Sequence, residues 1–299
     1  MADPVRPLSY RTVTPLDIVS WAAAYFALIV LRLLPFGWVS GLGGGLARAI
    51  GPRLGKSRTA RANLKSAFPD KSDAEIETLV RQTWDTLGRT VFEFPIMHRL
   101  LDGPDRTRLD IEGREHLDAA LATGKPVLFF GAHLGNWEAP PVAAGILGFS
   151  VNSFYRAPNN PLLLKLFAKR KTPGELIPKG APGAKRAFTL LKQGQHLGIL
   201  VDQKLNDGIP VPFFGRDAMT GTALAEFALR FGAPMVPIRC VRLPGARFRL
   251  IFHPPLQVET TGERKDDVRA IMTAVNALLE SWIRETPGQW LWLHRRWPE

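Results

Sequence analysis

Pro126-Val127-Leu128-Phe129-Phe130-Gly131-Ala132-His133-Leu134-Gly135-Asn136-Trp137-Glu138 is the stretch on which the fold turns. It begins with a short, bulky apolar run that suits a strand buried on both faces. Gly131 to Trp137 interrupts the run, and a helical pattern from Pro140 to Leu147 follows. Strand, turn and helix in that order form one unit of an α/β sheet, and in open sheets of this kind the site lies beyond the strand ends.

The same alternation continues outward. Ser150 to Tyr155, His196 to Val201 and Met235 to Val241 predict strands, and Phe248 to Phe252 adds an edge strand. Pro161 to Lys171, Ala184 to Gln193, Thr222 to Phe231 and Lys265 to Glu285 predict helices. The fold class is therefore α/β, a single mixed sheet flanked by helices. Upstream, Ser72-Asp73-Ala74-Glu75 has the form of a capping box and opens an amphipathic helix to about Arg99. Before it, Trp38 to Leu54 reads as a Gly-rich helix and Ser57 to Phe68 as a short basic one. With no repeat and no low-complexity linker, residues 37–299 form one domain, and residues 1–36 are a tail and membrane anchor.

The anchor reading rests on Ile18 to Leu31, apolar almost throughout and bounded by Asp17 and Arg32. It is short of the roughly 20 apolar residues of a comfortable span, so it either tilts through the bilayer or lies in the interface. It lacks the basic start and cleavage pattern of a signal peptide. From Ile18 to Pro69 there is no Asp or Glu, while Arg48, Arg53, Lys56, Arg58, Arg61 and Lys65 all fall there, as an anionic leaflet favours. A buried helical hairpin with a solvated basic end is the rival reading. The positive-inside bias places the rest of the chain in the cytoplasm. The whole chain carries a formal net charge of +12 and asks for an anionic partner. No nucleic-acid motif is visible, which favours lipid over nucleic acid.

His133 on the turn and Glu138 at the start of the helix form a candidate catalytic pair, the carboxylate folding back to orient the imidazole and stabilise its protonated form. The spacing alone also suits a helix cap or a satisfied buried polar group. No Gly-x-Ser-x-Gly elbow accompanies the pair, and Cys240 sits inside an apolar run, so the hydroxyl to be deprotonated belongs to a substrate. One cysteine forms no intrachain disulfide, which points to a reducing compartment, and no Cys/His set has metal-ligand spacing. Tyr155-Arg156 and Val201-Asp202-Gln203-Lys204 close two further strands with polar residues, as an active-site rim requires.

Taken together, several blocks resemble the late lipid A acyltransferases, the lauroyl and myristoyl transferases of Gram-negative bacteria. They are His133-x4-Glu138, Phe154-Tyr155-Arg156 with Asn160-Pro161, Val201-Asp202-Gln203, Val211-Pro212-Phe213-Phe214-Gly215-Arg216 with Thr220, and Gln289-Trp290-Leu291-Trp292-Leu293-His294-Arg295-Arg296-Trp297. The resemblance spans nearly the whole chain and implies a glycerolipid-acyltransferase-like fold. It implies transfer of a fatty acyl group from acyl carrier protein, with no cofactor or metal, to a hydroxyl of a 3-hydroxyacyl chain on a Kdo-bearing lipid A precursor. The place implied is the cytoplasmic face of the bacterial inner membrane.

Residue roles follow from the same resemblance. His133 is the base, Glu138 its partner, and Arg156 and Asp202 are further active-site residues. Asn136, Tyr155, Gln203, Lys204, Phe213, Phe214, Arg216, Thr220, Arg295 and Arg296 are expected to bind substrate. Arg156 suits a phosphate or charge developing on the thioester carbonyl, or else an ion pair with Asp202. Phe213 and Phe214 line the acyl path or pack as core. The C-terminal Trp and Arg residues form a headgroup belt or dock a terminal segment. Lys204 departs from the pattern, in which an acidic residue follows the Asp-Gln pair in many members. Acyl transfer to another acceptor such as a glycerol phosphate, and a basic membrane-binding protein without chemistry, are the rival functions.

Overall fold

The computed structural model describes residues 13–155, 160, 162 and 172–297. Helix α1 (Pro15–Leu33) starts at Thr14, whose hydroxyl accepts from the Asp17 N–H while the Asp17 carboxylate accepts from the Thr14 N–H. Its 19 residues span roughly 28 Å at about 1.5 Å each, close to the ~30 Å bilayer core. Among the described residues it is the one helix long and apolar enough to cross a membrane, and little of it is buried.

Leu34 and Pro35 separate α1 from α2 (Phe36–Ile50), which is followed by α3 (Lys56–Ala67) and α4 (Asp73–Glu93). The capping box of α4 is present, with Ser72 and Glu75 satisfying each other's backbone N–H. The helix stops at Glu93, short of the expected Arg99, because Pro95 has no N–H to donate and its ring crowds the preceding turn. Helices α2 and α4 meet backbone to backbone at Gly43 and Gly88, where a Cβ on either would strike the carbonyl of the other.

The main sheet has seven strands: β1 (Leu109–Glu112), β2 (Leu128–Gly131), β3 (Val151–Tyr155), β4 (Leu176–Pro178), β5 (His196–Leu200), β8 (Met235–Leu243) and β9 (Arg247–Phe252). Their order is β1-β9-β8-β2-β5-β3-β4, parallel throughout except between β8 and β9. Two expectations are corrected. The sheet is not single, because β6 (Lys204–Phe213) and β7 (Arg216–Thr220) form a separate antiparallel hairpin. Pro210 and Pro212 suit β6 to that small sheet, where its unpaired side needs no donors. Nor is β9 an edge, since it lies between β8 and β1, a four-residue strand too short to announce itself.

Both faces of the main sheet are covered. Leu128, Phe130 and Leu197 face a core shared with α8 (Ala181–Lys192), α9 (Ala223–Phe231) and α10 (Arg264–Glu285). Phe129, Val236 and Phe248 face the other, shared with α5 (Arg99–Asp102), α6 (Arg114–Leu121) and α7 (Ala139–Ile146). Strand β2 therefore alternates its side chains between two buried cores, which explains its unbroken apolar run. The predicted helix from Pro161 to Lys171 lies outside the described residues except for Leu162.

Candidate active site

Strands β2 and β5 are parallel neighbours with Gly131 opposite Leu200, and this register carries the next residues to matching heights, His133 beside Asp202. The His133 Nδ1 lies 2.8 Å from Asp202 Oδ1, and the His133 backbone N–H donates to Oδ2 at 2.9 Å. Asp202 is buried, and desolvation alone would push its pKa up. The facing His133 and the hydrogen bonds it donates override this, holding the carboxyl well below its usual range and therefore ionised. An ionised carboxylate on Nδ1 fixes the proton there and leaves Nε2 as the basic nitrogen. The Gln203 amide, 3.4 Å from Nε2, is oriented to donate to it and is itself held by Lys179 Nζ at 3.2 Å.

From sequence, the orienting role falls to Glu138. In the structure the carboxylate bound to Nδ1 is that of Asp202, while Glu138 stands at the N-cap of α7 and faces a cavity. The sequence marks Asp202 as a candidate, but its pairing with His133 depends on sheet register, which no local spacing reveals.

The C-terminal segment clips the His133 turn in place. Trp290 Nε1 donates to Asp202 Oδ2 at 2.7 Å, Leu291 N–H donates to the His133 carbonyl at 3.1 Å, and Gly135 N–H donates to the Gln289 carbonyl at 3.0 Å. Gly135 has φ of +59°, and a Cβ there would run into the Cys240 carbonyl, so glycine is required at this point of the turn. Behind the turn, the buried Glu93 carboxylate accepts from Arg242 at 2.6 and 2.8 Å and from Asn136 Nδ2 at 2.7 Å. Thr90 donates to the Gly135 carbonyl at 3.2 Å. Glu93, Arg242 and Thr90 escaped the sequence reading, since nothing local distinguishes a mid-helix Glu or a strand Arg that meet only in the fold.

An apolar cavity of about 100 Å³ opens beside the turn, lined by Ala132, Trp137 and Glu138 together with Phe129, Val151 and Phe252. The Trp137 ring meets the His133 ring edge-on at 5.2 Å between centroids. Cys240 also lines this space, but burial pushes its thiol up to about 12, so it is no nucleophile at neutral pH.

The remaining candidates separate. Gln203 is at the site, Lys204 is exposed at the start of β6, and Tyr155 ends β3 half-buried. Arg156 lies outside the described residues. Asn136 is buried, with its amide committed to Glu93 and its oxygen accepting from the Glu138 N–H, so it holds the turn instead of facing a ligand. Phe213 and Phe214 pack with Trp290, Trp292 and Trp297 in an aromatic core and do not line the cavity. Thr220 and Arg296 are likewise buried, the guanidinium donating to the Thr220 hydroxyl at 2.8 Å and stacking over Phe213. Arg216 lies over Trp297 and reaches Ser66, and Arg295 is exposed. The headgroup-belt reading of the tryptophans is thus corrected: all three are buried, docking the terminal segment.

A histidine oriented by a buried carboxylate beside an apolar cavity, with no nucleophilic side chain paired to it among the described residues, suits group transfer to a substrate hydroxyl. The comparisons agree with that class. The family of bacterial lipid A biosynthesis acyltransferases matches residues 10–299, and the chain belongs to it. It is 25% identical over 280 residues to the lipid A biosynthesis palmitoleoyltransferase of Escherichia coli K12, covering 91% of this chain and 90% of that one. To the lipid A biosynthesis lauroyltransferase of the same organism it is 24% identical over 285 residues, covering 93% and 90%. A phosphatidylinositol mannoside acyltransferase of Mycobacterium tuberculosis is 28% identical over 262 residues, covering 82% and 78%. The protein is an acyltransferase, with a late role in lipid A biosynthesis.

Proposed function

We propose that the enzyme moves a fatty acyl group from acyl carrier protein to a hydroxyl of a 3-hydroxyacyl chain on a Kdo-bearing lipid A precursor, at the cytoplasmic face of the inner membrane. The observation that carries the mechanism is the His133–Asp202 pair on the turn whose Ala132 and Trp137 line the apolar cavity. The acyl chain of the thioester enters the cavity, and the acceptor hydroxyl displaces Gln203 from Nε2. As the hydroxyl oxygen bonds the thioester carbonyl carbon, its proton passes to Nε2. Collapse of the tetrahedral adduct breaks the C–S bond, and the leaving thiolate takes that proton back. Asp202 stabilises the imidazolium between the two steps, and Glu138, facing the cavity, adds a second negative charge. Arg156 is the proposed donor to the developing oxyanion. The basic excess suits both the acidic carrier protein and the phosphorylated acceptor.

The acceptor has a rival, because one relative is named for a mannoside acceptor. Purified enzyme given labelled acyl carrier protein thioester and either a Kdo-bearing lipid A precursor or a phosphatidylinositol mannoside tests both. A product heavier by one acyl group from the first acceptor alone supports the proposal. Acylation of the second alone overturns the acceptor assignment, and no product from either removes the carrier-protein reading.

A further inference from the structure

Helix α2 exposes a row of apolar side chains at intervals of four residues: Trp38 (71% exposed), Leu42, Leu46, Ile50 and then Leu54 beyond its end. Val91 of α4 is exposed beside them. An apolar groove of about 280 Å³ runs between the two helices along this face. Contiguous apolar surface of this kind marks an interaction site on an otherwise soluble fold.

We infer that this face is an in-plane docking surface for an anionic lipid leaflet, a second membrane contact additional to α1. The inference rests on the reading that the enzyme works at a membrane. Two observations select a leaflet as occupant. The α1 helix ends in Leu33, 80% exposed, and only Leu34 and Pro35 separate it from α2, so a bilayer that takes up α1 meets the row at Trp38 at once. Arg53, Lys56 and Arg58 are exposed at the far end of the row, in a stretch without a single acidic residue from Ile18 to Pro69. Apolar row and basic flank together suit acyl chains below and anionic headgroups above.

The surface bears on catalysis through α4. Val91 faces outward while Thr90 and Glu93, its close neighbours, hold the catalytic turn at Gly135 and Asn136. Docking of this face therefore sets the orientation of the site toward lipid substrate.

The full chain carrying Leu42→Cys, Ile50→Cys, Phe26→Cys on α1, or Lys192→Cys at the exposed end of α8 is labelled with a fluorophore; the buried Cys240 stays unlabelled. In phosphatidylcholine vesicles containing phosphatidylglycerol, a lipid-borne nitroxide should quench labels at 42 and 50 several-fold more than at 192, and less so without phosphatidylglycerol. If 42 and 50 behave like 192 while 26 is quenched, the second surface is wrong and the anchor stands. If 26 is not quenched either, the membrane reading itself fails. Shielding of 42 and 50 from both lipid-borne nitroxide and aqueous iodide means a second copy of the chain covers the face, and overturns the proposal.

Discussion

At one end of the sheet His133, Gly135 and Asn136 on a single turn are held from several directions, whereas the N-terminal helices leave much of their apolar surface uncovered. His133 and Gly135 are pinned by β5, α4 and the C-terminal segment at once. Along α1, by contrast, Leu16, Val19, Phe26 and Leu33 are exposed, and α2 adds its own row. The first arrangement fixes a proton to one imidazole nitrogen; the second leaves apolar side chains open to whatever medium surrounds the helices. Order at the His133 turn and exposed apolar surface on the N-terminal helices are what the proposed work at a lipid interface would use.

The sharpest way to break that comparison is to remove the proposed base. His133→Ala should lower kcat by about 10²–10⁴-fold, and should also lower the unfolding temperature, because the buried Asp202 carboxylate loses its imidazole partner; circular dichroism at the assay temperature checks that the variant is folded. Near wild-type turnover would falsify the assignment. Asp202→Asn should come next, since it leaves the shape but exchanges an acceptor for an amide and so disturbs the tautomer. Comparing it with Glu138→Gln decides the orienting role. A greater kcat loss for Asp202→Asn assigns the role to Asp202, and the reverse order returns it to Glu138.

Trp290→Phe sharpens the account of the C-terminal clip. It keeps most of the ring but deletes the N–H that reaches Asp202, a hydrogen bond to a charged group worth about 1.5–3 kcal/mol. The expected outcome is a kcat loss on the order of tenfold, with KM for the acyl donor unchanged. A KM effect alone would mean that Trp290 merely packs. On the other side, Gly88→Ala should force α2 off α4 and destabilise the chain by roughly 1–3 kcal/mol, read by thermal unfolding, because its Cβ meets the Gly43 carbonyl.

How much of this the sequence disclosed follows the same division. The capping box at Ser72, the apolar run of α1 and the strand before His133 are local patterns, and the structure contains all three. The partner on Nδ1, Asp202, is 69 residues from His133, and Trp290 is 88 from Asp202, so those contacts exist only through sheet register and the returning terminus. Phe213, Trp292 and Arg296 misled for a related reason: aromatic and basic residues are used both at lipid interfaces and in buried stacks, and composition does not distinguish them. The sheet's β9 was misplaced because edge or centre is decided by β1, which is too short to read.

The smallest effect concerns acid. His196, His253 and His294 are each held below the ordinary histidine pKa, first of all by burial, so they are neutral in the folded chain near pH 7. Between their lowered folded values and the unfolded value near 6.5, the unfolded chain binds more protons than the folded one. Stability must then rise with pH through that window: it is full above about 6.5 and falls on acidification as the histidines take up protons. Asp202, also lowered, adds stability of the same sign that survives to far lower pH, since its carboxylate protonates only well below the usual range. The three histidines all belong to the sheet or the C-terminal segment, and the described part of α1 to α4 contains none. Mild acid should therefore loosen β5, β9 and the Trp290 segment before the N-terminal helices. Hydrogen exchange read by mass spectrometry at pH 7 and pH 5, corrected for intrinsic rates, should show protection lost first near His196 and His294, with α2 and α4 unchanged. Earlier loss in α2 and α4 would show that the exposed apolar helices, and not the pinned site, are the weaker part in acid.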